Sequence, residues 1–247
     1  MPRQARQQSE TGIYHTLQRG INQQDIFQDD EDRCAYLKRL TNYKNECAFE
    51  IYAYCLMDNH VHLLLKVGAV SISDVMRKIS GSYVYWYNWK YNRTGHLFQD
   101  RYKSEPVEDE KYLLTVLRYI HQNPVKVGFG IDHWTSYNDY LGNGLIADTK
   151  PILELFNNNS ETARNQFIKY VNEPSNDTCL DVSDNKRVTD EEAKEMAKNL
   201  GLSTFPALQQ KDKEERDALL RCLKEAGMSV RQLERMSGLG RGIILRS

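Results

Sequence analysis

The stretch AYCLMDNHVHLLLK, Ala53 to Lys66, decides how this chain reads. Two runs rich in strand-forming residues, Phe49 to Met57 and His60 to Val67, flank Asp58-Asn59, a pair with strong turn character, and together they predict a β-hairpin. Side chains two apart on a strand share a face. His60 and His62 therefore project side by side while Val61 and Leu63 point the other way. Two imidazoles on a rigid strand can chelate one metal ion through ring nitrogens. The chain holds six histidines, so the spacing alone leaves metal ligation and chance both open.

Upstream, IYHTLQR at 13–19 alternates as a strand and Gly20 ends it. From Asp29, DDEDRCAYLKRLTNYKNEC opens with acids and sets Tyr36, Leu37, Leu40 and Tyr43 at helical spacing. Downstream of the hairpin, SISDVMRKISGSYVYWYNWKYN starts on a capping serine and carries Val75, Ile79, Tyr83 and Trp86 on one helical face. GHLFQDRYKSEPV predicts a loop feeding a short strand that ends near Val107. A third helix begins in the acidic EDEKY, which suits the positive end of its dipole, and runs through Leu113, Leu117 and Ile120 until Pro124 stops it. This order of elements predicts an α+β fold, an antiparallel sheet with helices on one face, over residues 1–145. Turn-rich and polar stretches after Trp134 predict a connector with some helix over 146–188. Helical texture from Thr189 onward predicts a small all-helical domain over 189–247.

The 247 residues, 40% hydrophobic and 27% charged, fit a globular protein. The five cysteines form no Cys-x-x-Cys pair, so neither a disulfide framework nor a cysteine zinc site is indicated. MPRQARQQSE lacks the apolar core of a signal peptide, and no run is long enough for a membrane span, so a cytoplasmic protein without a membrane partner is expected. Net charge is −1, yet its distribution is uneven. Residues 1–130 carry 17 Lys and Arg against 15 Asp and Glu, residues 131–210 carry 7 against 13, and residues 211–247 carry 9 against 6. Any nucleic-acid role must come from the two mildly basic ends.

Two imidazoles leave a metal shell incomplete, and the polar residues of RYIHQNPVKVG are candidates to complete it. Tyr119 and Asn123 are four apart and share a helical face distinct from that of Leu113, Leu117 and Ile120. An amide oxygen from Asn123 beside a Tyr119 phenol would put a nucleophile next to a bound ion. Read as packing, Tyr119 sits at a core edge and Asn123 ends the helix ahead of Pro124.

MDNHVHLLL, followed about sixty residues later by YIHQNPV, resembles the single-tyrosine HUH transposases. YHTLQRG, GHLFQDRYKS, YIHQNPVKVG and WTSYNDYLG, in that order over residues 11 to 142, are similar to stretches of the REP-associated tyrosine transposases. The resemblance implies an HUH endonuclease-like domain with a ferredoxin-like or RRM-like core. It further implies a divalent ion, Mg²⁺ or Mn²⁺, held by His60, His62 and Asn123, with Tyr119 as nucleophile. Many relatives carry glutamine at the last ligand position, and Gln122 and then His121 are the alternatives to Asn123. The implied reaction nicks and rejoins single-stranded hairpin DNA of repeats through a 5′-phosphotyrosine. Relatives include dimers whose tyrosine helix serves the partner's histidines and others that act alone, so a homodimer is among the implied assemblies.

SYVYWYNWKYNRTGHLFQDRYK interleaves aromatics with cations, a pattern suited to single strands because every base offers a stacking face and every phosphate a charge. Tyr83 and Trp86 follow core spacing. Tyr85 and Trp89 lie on another face and are candidates for base stacking or a dimer contact. Arg101 and Lys103, alternating toward the tyrosine helix, are candidates for phosphate contacts, and Arg19 is a further one. The C-terminal MSVRQLERMSGLGRGIILRS resembles a helix-turn-helix, with a helix over 231–236, a turn at Gly238 and a second helix from Arg241. Four arginines and one glutamate follow Met228, making Arg231 and Arg241 candidate DNA contacts; a helical hairpin that only packs is the plain alternative. Three functions fit: a single-strand DNA transposase, a domesticated binder or regulator that recognises folded repeats without moving them, and a metal-dependent hydrolase using activated water.

Overall fold

The hairpin forms as its sequence directs: β2 (Glu50–Met57) and β3 (His60–Lys66) turn at Asp58-Asn59 in a computed structural model that describes residues 6–144, 146–181 and 188–247. β1 (Ile13–Arg19) lies antiparallel to β3 on its other side, and the short β4 (Lys103–Pro106) completes a four-stranded sheet in the order β2-β3-β1-β4. The register pairs Leu17 with His62 and Arg19 with His60 on β1 and β3. It also pairs Leu17 with Lys103 and His15 with Glu105 on β1 and β4. Directly opposed residues share a face. One face of the sheet thus carries His15, Leu17, Arg19, His60, His62, Leu64, Lys103 and Glu105.

The other face packs against α1 (Asp30–Cys47) and α2 (Ile72–Lys90), where Tyr36, Leu40, Val75, Ile79 and Tyr83 bury with Val61, Leu63 and Leu65. Asp29 caps α1 in a reciprocal box with Asp32, and Ser71 caps α2. On the histidine face lies α3 (Glu110–Gln122), capped by Asp109, with Leu113, Val116, Leu117 and Ile120 buried against Ala53, Cys55, Met57 and Leu64. The α+β class on an antiparallel sheet is as the sequence indicates. Helices cover both faces, however, where one was expected. The reason is in the hairpin strands, whose runs Ile51–Met57 and Val61–Leu65, apolar but for His62, are buried on both sides.

Beyond α4 (Tyr137–Tyr140), α5 (Lys150–Phe156) and α6 (Ser160–Asn172) add Ile152, Phe167 and Val171 to the α3 cluster. The chain divides into two compact units, residues 1–182 and 183–247. The second unit comprises α7 (Asp190–Asn199), α8 (Lys213–Glu225), α9 (Val230–Ser237) and α10 (Arg241–Arg246) around Leu220, Leu223, Leu233 and Ile244. Among the described residues no helix is long and apolar enough to cross a membrane.

Gly20 ties the end of β1 to the hairpin turn. Its N–H donates to the Asn59 carbonyl at 2.9 Å, and a Cβ there would meet the Gln24 carbonyl oxygen at 2.1 Å. Any side chain at this position would displace the Gln24 carbonyl that lies against the end of β1.

Candidate active site

Period-two geometry on β3 and helical periodicity on α3 converge on one place. The His60 and His62 rings stand 5.1 Å apart between centroids, and the Tyr119 ring lies 5.7 Å from that of His62. α3 brings Tyr119 there because Leu113, Val116, Leu117 and Ile120 must be buried. Four such side chains are worth roughly 6 to 12 kcal/mol. That outweighs the roughly 1 to 3 kcal/mol of burying a hydroxyl without a partner. Tyr119 indeed is 3% exposed, and among the described residues its hydroxyl has no hydrogen-bond partner within ordinary geometry.

The two histidines are held in matching orientations. The His60 Nδ1 faces the Asn59 side-chain oxygen at 2.7 Å, and the His62 Nδ1 faces the Nε2 of His15 at 2.9 Å. An amide oxygen only accepts, so His60 carries its proton on Nδ1 and presents Nε2 as the lone-pair nitrogen. His62 is fully buried, and among the described residues its Nε2 has no hydrogen-bond partner. Burial holds His62 well below the ordinary histidine range, with His15, His60 and Lys126 adding in the same direction, so the ring is neutral. A neutral imidazole with an orphaned buried nitrogen is what a divalent ion needs. Asn123, 6% exposed, donates its amide nitrogen to the Tyr119 carbonyl at 3.0 Å, so its side-chain oxygen is the atom that would face an ion. The residues present fit the group. Among the described residues, no three His, Cys, Asp or Glu side chains are arranged to hold a metal.

The alternatives to Asn123 are engaged elsewhere. Gln122 donates to the Val171 and Glu173 carbonyls, and His121 is buried between the Leu117 carbonyl and the Ser136 hydroxyl. Burial pushes the Tyr119 phenol well above its ordinary value; the Asp181 carboxylate works the same way, and Asn123 opposes it. Lys126 sets its ammonium 3.7 Å from the centroid of the Tyr119 ring, and burial lowers its pKa.

Residues 8–123 match the family model described as Transposase IS200 like. A solved structure described as a REP-associated tyrosine transposase bound to a REP hairpin is 18% identical, covers 59% of this chain and 88% of that one, and superposes with a TM-score of 0.49. A putative transposase from Deinococcus radiodurans is also 18% identical, covering 49% of this chain and 96% of its own, with a TM-score of 0.35. No curated protein matches the chain.

Within the matched residues, Arg19 stands directly across from His60, and Lys103, exposed, projects from the same sheet face beside Leu17. Arg101 precedes β4 instead of alternating along it, and is exposed. Tyr85 and Trp89, 79% and 74% exposed, ride on α2, over the opposite sheet face. Tyr83 is buried in the α1/α2 cluster and Trp86 packs on it, as core spacing indicates. Arg231 and Arg241 are exposed on α9 and α10 of the second unit, where Gly238 turns the chain at φ 70°.

Sequence reasoning passed over His15, Lys126 and Asp181. His15 had a signal, since it shares its strand face with Arg19, but which strand lies beside it is not local information. Lys126 is seven residues after Tyr119, two helical turns on, with Pro124 between. Asp181 lies in a polar stretch without periodicity.

Proposed function

We propose that this domain nicks and rejoins single-stranded, hairpin-forming DNA of repeats, with Tyr119 as the nucleophile. The observation that carries the reading is the meeting of His60, His62 and Tyr119 on one face of the sheet from two separate elements. A divalent cation, Mg²⁺ or Mn²⁺, held by His60, His62 and the Asn123 side-chain oxygen would polarise a non-bridging oxygen of the scissile phosphate.

The Tyr119 hydroxyl gives up its proton and its oxygen attacks phosphorus, the P–O3′ bond breaks, and the departing 3′ oxygen takes up a proton. The product is a 5′-phosphotyrosine and a free 3′-OH, and attack by a 3′-OH reverses the step without ATP. Lys126 matters here, because an apolar site raises the cost of phenolate and a cation against the ring offsets it. Arg19 and Lys103 are placed to meet flanking phosphates, and Arg101 is a further candidate. Tyr85 and Trp89 offer base-stacking surface away from the histidine face. Arg231 and Arg241 make α9 and α10 a candidate helix-turn-helix for duplex DNA.

Burial of the phenol favours a second reading, a DNA-binding regulator descended from such an enzyme that does not cut. One experiment separates them. A 5′-labelled single-stranded hairpin is incubated with the full chain and Mn²⁺ and resolved under denaturing conditions. A covalent adduct with the wild type and none with Tyr119→Phe, which still retards the hairpin in a native gel, is the expected result. Retardation without adduct in the wild type supports the regulator, and an adduct in Tyr119→Phe removes Tyr119 from its role.

A further inference from the structure

We propose that His15 is a positioning residue for His62, holding the His62 proton on Nδ1 so that Nε2 is presented as a metal ligand. This rests on the reading of His60 and His62 as ligands given above.

The argument starts from register. β1 pairs with β3 so that His15 opposes Leu64 and Leu17 opposes His62, which makes His15 and His62 diagonal neighbours on one face. Diagonal cross-strand neighbours are within reach of large side chains. Their rings lie 5.2 Å apart with planes only 28° from parallel, and the Nε2 of His15 approaches the Nδ1 of His62 at 2.9 Å. Both side chains are fully buried. His15 also touches the Tyr119 ring edge at 6.1 Å between centroids, so it wedges the ligand and the nucleophile together.

Two neutral imidazoles joined by one hydrogen bond have two proton arrangements. In one, the His62 Nδ1–H donates to the His15 Nε2, and the His62 Nε2 is a lone pair ready for a cation. In the other, His15 donates, the His62 Nε2 carries hydrogen, and it cannot bind metal. Only the first arrangement lets His62 take a cation, and it requires the His15 Nε2, 2.9 Å away, to be the acceptor. The ligand nitrogen of a metal-binding histidine is normally set in this way by whatever its other nitrogen bonds, and losing that partner weakens metal affinity by 10–100-fold. Here the partner is a second histidine from the neighbouring strand.

The test uses the metal-free full chain and needs no DNA cleavage. Long-range ¹H–¹⁵N NMR of the imidazoles is expected to show His62 as the Nδ1–H tautomer in the wild type, with a shift toward Nε2–H in His15→Leu. Mn²⁺ titration followed by electron paramagnetic resonance of the free ion should give a Kd raised 10–100-fold in His15→Leu and restored to within a few-fold in His15→Gln, whose amide oxygen reaches about as far as Nε2. Should His15→Leu fail to fold, His15→Asn, too short to reach the acceptor position, replaces it. An unchanged Mn²⁺ affinity in the folded variant, or an Nε2–H tautomer in the metal-free wild type, overturns the proposal. Because neither readout involves Tyr119 chemistry, an inactive Tyr119 leaves both measurements decisive. A wild type that binds no Mn²⁺ but shows the tautomer shift would keep the His15 contact and sink the metal reading above.

Discussion

Acid is the perturbation that reads the buried histidines most directly, and His121 sets the scale. Its Nδ1–H donates to the Leu117 carbonyl at 2.9 Å, and its Nε2 accepts from the Ser136 hydroxyl at 2.9 Å, which in turn accepts from the Tyr54 N–H at 3.1 Å. Every link in that chain requires a neutral ring. Full burial pulls the His121 pKa down to about 4, with the Leu117 carbonyl opposing. An unfolded histidine titrates at about 6.5. Between pH 6.5 and 4 the unfolded chain therefore holds a proton that the folded chain lacks, and stability rises with pH across that window. This contribution is complete above pH 6.5 and is lost as pH falls through the folded value. One proton changes stability by about 1.4 kcal/mol per pH unit, so His121 alone removes roughly 3 kcal/mol over its window.

His15, pulled down to about 3 by burial with Asp181 opposing, and His62, held well below its ordinary value by burial, each add a proton with the same sign. Together the three give a slope of roughly 4 kcal/mol per pH unit below pH 6. A domain stable by about 10 kcal/mol at neutral pH then unfolds near pH 4. Urea unfolding followed by tryptophan fluorescence, in a chelator to exclude metal linkage, measures this at half-unit steps. Trp86, Trp89 and Trp134 all belong to the first unit, so the signal reports that unit alone. His121→Gln should lower the slope by about 1.4 kcal/mol per unit. A wild-type slope under about 1.4 kcal/mol per unit between pH 4.5 and 6 would mean fewer than one buried neutral histidine and would refute the reasoning.

Leu233→Ala empties a fully buried position in the second unit and should cost that unit about 2 to 5 kcal/mol, while the tryptophan transition stays in place; a joint shift of both transitions would show the units unfold as one. Tyr85→Ser with Trp89→Ser removes two largely exposed rings, so folding stability should move by less than about 0.5 kcal/mol per site. Affinity for a single strand should fall by about 1 to 3 kcal/mol per ring in a filter-binding assay, and unchanged affinity would take both out of the DNA surface.

Much of the domain was legible locally. The hairpin followed from two strand-forming runs around Asp58-Asn59, and the long helices from acidic openings or, at Ser71, a capping serine, ahead of helical apolar spacing. The burial of Tyr83 against the exposure of Tyr85 and Trp89 followed from position around one helix. Less legible was the layering. An unbroken apolar strand says that both its faces are covered, but not which helix covers which.

For the site, the chain's own order determined that His60 and His62 share a face and that Tyr119 and Asn123 share another, because side-chain periods of two and 3.6 are properties of single elements. Only the tertiary structure decided that α3 docks over the histidines and not over Val61, Leu63 and Leu65, since either face was apolar enough to take it. The same holds for His15, whose hydrogen bond to His62 spans 47 positions and exists because β1 inserts between β3 and β4. Strand order is settled by the packing of the whole sheet, and no local stretch of residues encodes it.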